Sequence, residues 1–142
     1  MTIAIRQGNV LTVIGPGGVL HSLFSTIAVL LENGKWGSRF PWIMNGLYGG
    51  SLADVGAKAA YDEMLEIRRE LAQISPSEVV WDIENPELSP PWGNSFGSHV
   101  SHMADYYVTD TGRNLVDEII DNLESQIEFG GPLQIVPFDG KH

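Results

Sequence analysis

Two short runs of β-prone residues open the chain, Thr2 to Arg6 and Val10 to Ile14, separated by Gln7-Gly8-Asn9. That spacing predicts a hairpin, and Gly15-Pro16-Gly17-Gly18 is expected to stop its second strand. From Val19 to about Leu31, the residues Leu20, Phe24, Ile27 and Leu31 recur at helical spacing. Leu23 and Leu30 widen that stripe, so this helix should be largely buried. Asn33-Gly34 then supplies a left-handed cap. A second helix is expected after Ser51, with Ser51 capping an orphan amide and Asp54 in the first turn. Ala60, Met64, Ile67, Leu71 and Ile74 form its apolar face over about five or six turns, with Glu63, Glu66, Arg69 and Glu70 on the solvated sides. Ser75-Pro76 ends it.

Glu78 to Ile83 reads as a strand, followed by a long irregular connection rich in Pro and Gly from Asn85 to Gly97. Tyr106-Tyr107-Val108-Thr109 is again β-prone. Asp110 or Thr111 is placed to cap a third helix, in which Val116, Ile120, Leu123 and Ile127 share a face. Gly130-Gly131-Pro132 terminates it, and Leu133 to Phe138 adds a last strand. The order ββααβ(loop)βαβ predicts an α+β fold, a small mixed or antiparallel sheet covered by about three helices. With no internal repeat and no linker, residues 1–142 are expected to form one domain, long enough to bury its own core.

Composition narrows the function classes. An apolar fraction of 43% with 18% charged residues argues against global disorder. Cysteine is absent, which removes disulfides and thiolate catalysis. The N-terminus lacks a basic stretch followed by a long apolar run, and no apolar stretch approaches a bilayer span, so a soluble, cytoplasmic protein is expected. Asp and Glu number 18 against 8 Lys and Arg, a formal charge of -10. Such a balance disfavours direct binding to nucleic acid or an anionic membrane and favours a basic protein partner.

Few residues invite a catalytic interpretation. Gly15-Pro16-Gly17-Gly18 precedes a helix but lacks the lysine and Ser/Thr of a phosphate loop, so it is a strand-to-helix turn. His99, His102 and Asp105 are three residues apart and would converge on a metal if the segment turned helically; as ordinary loop histidines they need no ligand. Asp82 and Glu84 would share a face if extended, the arrangement paired-carboxylate chemistry requires. No serine lies in a G-x-S-x-G context. His21, near the start of an apolar helix, suits a structural hydrogen bond, and His142 is terminal. No cofactor is implied.

Two kinds of residue suit an interface better. All four tryptophans lie in or beside non-helical segments, and Trp36, Arg39, Trp42, Trp81 and Trp92 make an aromatic and arginine cluster. Arg39 can stack on its aromatic neighbours and pair bidentately with Asp82. The cluster then serves as a local staple for the loop or presents part of itself to a partner. Glu78, Asp82, Glu84 and Glu87 fall in one short window, while Asp117, Glu118, Asp121, Glu124 and Glu128 are expected along the third helix away from its apolar stripe. Each acidic set is a solvated face or a contact for a basic partner.

The chain resembles the immunity protein 70 family of bacterial polymorphic and contact-dependent toxin systems. The likeness rests on Gly37-Ser38-Arg39-Phe40-Pro41, Leu47-Tyr48-x-Gly50, Glu66-Ile67-Arg68, Val79-Val80-Trp81-Asp82, Pro90-Pro91-Trp92-Gly93, and Tyr107-Val108-Thr109 with Gly112-Arg113. These pieces run in order from about residue 35 to 115. The resemblance implies a small α+β protein, not an enzyme, that binds and neutralises a cognate toxin domain, some such toxins being ribonucleases. The polar stretch from Asn94 to His99 and the Tyr106-Tyr107 pair depart from the family pattern. Two alternatives accompany this expectation. One is a small metal-dependent hydrolase using His99, His102 and Asp105, with Asp82 as a further member; the other is a non-enzymatic scaffold module.

Overall fold

The computed structural model describes residues 2–85, 87–91 and 100–138. Strands β1 (Thr2–Gln7) and β2 (Val10–Pro16) form the expected hairpin, Gln7 pairing with Val10. Gly8 sits at φ +61°, the left-handed value that a turn of type II′ asks of its first central residue. The glycine and proline after Ile14 do not stop β2. Gly15 faces Ile3 while Val13 faces Ala4, so Ile14 bulges out of the ladder and the strand continues to Pro16. Gly15 takes φ +130°, and a Cβ there would lie 2.7 Å from Asp110 Oδ1. The Asp110 amide donates to the Ile14 carbonyl (2.9 Å) and clamps the bulge from outside.

Helix α1 (Gly17–Thr26) begins two residues earlier than its apolar stripe and widens into a π-helical turn, Ile27–Leu31. Asn33 and Gly34 adopt positive φ, and the Gly34 amide closes the end on the Ala28 carbonyl (2.7 Å). A second π-helical turn, Trp42–Leu47, leads to β3 (Ser51–Leu52). Ser51 therefore belongs to a strand and caps nothing. A 3₁₀ turn at Asp54–Gly56 separates it from α2 (Ala57–Leu71). Ile74 lies beyond that helix, where its carbonyl accepts the Met103 amide (2.9 Å).

Helix α3 (Leu115–Phe129) is capped by Asn114, whose side chain accepts the Asp117 amide (3.1 Å), and not by Asp110 or Thr111. Those two residues belong to the preceding turn, held by the Thr109 amide on the Arg113 carbonyl (2.8 Å). Gly130 and Gly131 both take positive φ and deliver the chain to β4 (Leu133–Pro137).

The strands form one antiparallel sheet in the order β2-β1-β4-β3. Helix α3 lies against β1 and β4, and α2 against α3. Ile5 and Leu133 join Phe24, Met64, Ile67 and Leu123 in the buried core. The α+β expectation holds, with the order ββαβααβ instead of ββααβ(loop)βαβ. Strand β3 is too short to carry an alternating signature. Two expected strands are absent from the sheet: Glu78 to Ile83 enters no strand, Glu78 closing the Pro76–Glu78 3₁₀ turn, and Val108 makes only an isolated bridge to Asn114.

Candidate interaction surface

The loop between the two π-helical turns is organised by a buried carboxylate. Glu32 is 2% exposed and accepts the amides of Gly37, Arg39 and Phe40 at 3.0, 3.0 and 3.1 Å. Arg39 does not reach Asp82. Its guanidinium pairs bidentately with Glu70 of α2 (2.9 and 2.6 Å), donates to the Leu31 carbonyl (2.8 Å) and stacks on Phe40. The Arg39 hydrogen bond holds the Glu70 carboxyl below its ordinary range. Glu70 is the better partner because α2 carries it beside the loop, whereas Asp82 is occupied elsewhere.

The tryptophans separate. Trp36 turns inward, donates from Nε1 to the Met44 carbonyl (2.9 Å) and packs beside Phe24 and Tyr48. Trp42 is exposed at the start of the second π-helical turn, whose orphan amides at Trp42 and Ile43 are met by Glu63 (3.3 and 2.9 Å). Partial burial raises the Glu63 carboxyl, and those two amides oppose the rise. The Trp42 ring covers Gly56, where a Cβ would come within 2.2 Å of it. Trp81 lies over Gly18, and Trp92 falls outside the described residues. From Trp36, Arg39 and their neighbours the geometry builds a staple across α1, the loop and α2.

A second clasp ties the segment after α2 to α1. His21 lies 2.5 Å from the Tyr48 hydroxyl and 3.0 Å from Asp82 Oδ1. The His21 bond lowers the Asp82 carboxyl from its ordinary value. Asp82 also accepts the Glu84 amide (2.9 Å), which turns the chain, so Asp82 and Glu84 do not share an extended face. Upstream, Thr26 meets both backbone groups of Val80 (3.0 and 3.1 Å), Ser22 donates to the Val80 carbonyl (2.8 Å), and Ser25 accepts the Ile83 amide (3.0 Å). The hydroxyl of buried Tyr107 lies 2.8 and 2.9 Å from those of Ser22 and Thr26, and burial pushes its phenol pKa up. Hydroxyls on a helix thus satisfy the backbone that a sheet would otherwise have to satisfy.

The proposed metal trio does not assemble among the described residues. Met103–Asp105 does make a 3₁₀ turn, and His102 Nε2 lies 3.3 Å from Asp105 Oδ2. His99 lies outside the described residues. Among those described, no three His, Asp or Glu side chains are grouped to hold a metal ion.

The acidic positions divide by exposure. Glu78, Glu84 and Glu87 are exposed on the segment after α2, and Asp117, Asp121, Glu124 and Glu128 are exposed along α3. Glu118 is not on that solvated stripe. It is 9% exposed and lies 3.4 Å from Arg113, because α3 turns this side toward β2. Asp117 pairs with Arg68 of α2 (3.1 Å) and Glu124 accepts from the Tyr61 hydroxyl (3.4 Å).

A family model described as Immunity protein 70 matches residues 5–135, from the middle of β1 to the middle of β4. The chain belongs to the immunity protein 70 family. Comparison with curated proteins and with solved structures finds no match. Immunity proteins of this kind act without turnover. The family-like segments of this immunity protein are largely those that hold its fold: Gly37 to Pro41 forms the staple, Val79 to Asp82 the clasp, and Tyr107 anchors that clasp from the core. The surface carboxylates lie mostly outside those segments. Among the described residues, no helix is long and apolar enough to cross a membrane. Sequence reasoning overlooked Glu32 and placed Glu63 on a solvated side of α2, where it is instead half-buried against the Trp42 and Ile43 amides; neither acceptor role has a local signal. It also overlooked Phe129, exposed at the last position of α3, where the following Gly130-Gly131 could have marked it as an end group.

Proposed function

We propose that this immunity protein 70 chain works in the cytoplasm as one domain over residues 1–142 that binds a cognate toxin domain of basic surface. It neutralises the toxin by covering the surface used on the toxin's own substrate, and a nuclease is the toxin class this charge suits. Family membership across residues 5–135 carries the reading. The formal charge of -10 supports it, as do the exposed carboxylates of Glu78, Glu84, Glu87, Asp121 and Glu128. A nuclease recognises its substrate by Lys and Arg that neutralise phosphates. Carboxylates held on a rigid scaffold can occupy the same cations, and like-charge repulsion excludes acidic wrong partners. No cofactor is needed.

The test is co-expression with the polypeptide encoded immediately beside this chain, with binding followed by calorimetry and protection by growth. Nanomolar affinity with rescue of growth is the expected result. Failure of both would overturn the reading.

A further inference from the structure

Much of the exposed apolar surface gathers at one end of the molecule. Val10, Val55, Ile127 and Phe129 are 61%, 85%, 43% and 73% exposed. Val10 and Phe129 line a groove of about 340 Å³ between the β1–β2 turn and the last turn of α3, with Asn122, Ser125 and Gly130. A Cβ on Gly130 would lie 3.9 Å from Asp54 Oδ2, which brings the 3₁₀ turn carrying Val55 to the same end. Side chains this large and this exposed cost solubility unless a partner covers them.

The backbone beneath them is locked. Gln7 donates to the Gly130 carbonyl (3.0 Å), and Gln126 donates to the carbonyls of Leu52 and Gly131 (both 2.9 Å). Asn122 reaches Thr12 Oγ1 (3.3 Å). A surface fixed in this way loses little conformational freedom on binding.

Among the described residues, the Asp54–Gly56 turn and the last turn of α3 carry acidic side chains only, while Arg6, on β1 beside the hairpin turn, donates to Gln134 Oε1 (2.5 Å). The last turn of α3 contains no basic residue, although a helix C-terminus is the negative end of its dipole and favours cations. Glu128 stands in that turn, with Glu124 and Asp121 on the turns before it and Asp54 across the gap. The neighbouring lysine, Lys58 on α2, is already engaged by Asp62 (2.8 Å). A partner's Lys or Arg would supply the missing counter-charge.

We infer that this end, built from the β1–β2 turn, the Asp54–Gly56 turn and the last turn of α3, is the docking face for the basic toxin domain. Phe129 and Val10 are its apolar anchors, and Glu128 and the α3 C-terminus seat a cation. The inference rests on the immunity reading and goes further in naming the surface.

The experiment compares wild type, Phe129→Ser, Glu128→Lys and a control at exposed Gln73, Gln73→Lys, by calorimetry, against the toxin domain encoded beside this chain. Urea unfolding confirms that each variant folds, and amide exchange maps the complex. Phe129→Ser and Glu128→Lys should each weaken binding by roughly tenfold or more, with the control within about twofold. Protection should appear at residues 8–10 and 127–131. Wild-type binding that both variants leave unchanged would overturn the assignment while the immunity reading stands. A dimer of this chain that Phe129→Ser dissociates, with toxin affinity unaltered, would assign the face to a second copy and overturn it too. Absence of wild-type binding would overturn both.

Discussion

Glu32 illustrates how one buried side chain can organise a segment that has no regular structure. Its carboxylate replaces the carbonyls that the amides of Gly37, Arg39 and Phe40 would otherwise lack. Glu32→Ala leaves those donors without a partner and should destabilise the fold by about 2–4 kcal/mol. Glu32→Gln, which keeps an acceptor oxygen, should cost about half as much, and urea unfolding at neutral pH measures both. The role of Glu32 was not legible, because a Glu before Asn-Gly reads only as the polar end of a helix. Arg39 was legible as a staple but not by its partner. Its charge and its stacking on Phe40 follow from its type and neighbours, whereas the choice of Glu70 over Asp82 depends on where α2 lies.

Among elements, the segment after α2 is the clearest departure from expectation. Val79-Val80-Trp81 has the residue types of a strand, yet Val80 is satisfied by Thr26, and the Ile83 amide after it by Ser25, from a helix more than fifty residues earlier. Serine and threonine inside an apolar helix are ordinarily neutral to unfavourable, and here that oddity was the available signal. Ser25→Ala with Thr26→Val should release the segment: amide exchange at Val80 and Ile83 should accelerate at least tenfold, while the amides of α3 stay protected. Helix α3 offers a second check. Asn114→Ala should cost about 1–2 kcal/mol because a cap is lost, together with its donation to the Ala104 carbonyl. Thr111→Ala should lie within about 0.5 kcal/mol of wild type. Equal losses would mean that the cap is misassigned.

At the scale of the whole molecule, charge controls both stability and association. The Glu70 and Asp82 carboxyls are held below their ordinary values by Arg39 and His21. Below about pH 4 the unfolded chain takes up protons before these folded carboxylates do, so their contribution is lost as pH falls. Glu63, raised by burial, works in the opposite sense, its contribution being lost as pH rises through its raised value. Glu70→Gln should therefore show a shallower loss of stability than wild type between about pH 5 and 3, read from urea midpoints. An identical slope would remove the Arg39–Glu70 pair from the acid response. On the proposed reading of a basic toxin domain as partner, a chain at -10 should bind more slowly as salt screens the encounter. Stopped-flow rates should fall by roughly tenfold from low salt to about 0.5 M.

The sequence by itself determined the hairpin, the buried α1, the apolar face of α2 as far as Leu71, that of α3 as far as Leu123 but not the exposed Ile127, and the glycine stop before β4. Each of these is written in a local period or a turn residue, and a period of two or of 3.6 needs no distant partner to be read. The acidic balance and the family-like segments were equally open to reading. Tertiary structure alone decided that the Val80 backbone and the Ile83 amide hang from hydroxyls, that Glu118 turns inward while Asp121 and Glu128 face out, and that Val10, Val55 and Phe129 lie toward one end. Those outcomes depend on which backbone groups and faces come together across long separations. Burial and hydrogen-bond satisfaction are properties of that assembled arrangement, and no local pattern encodes them.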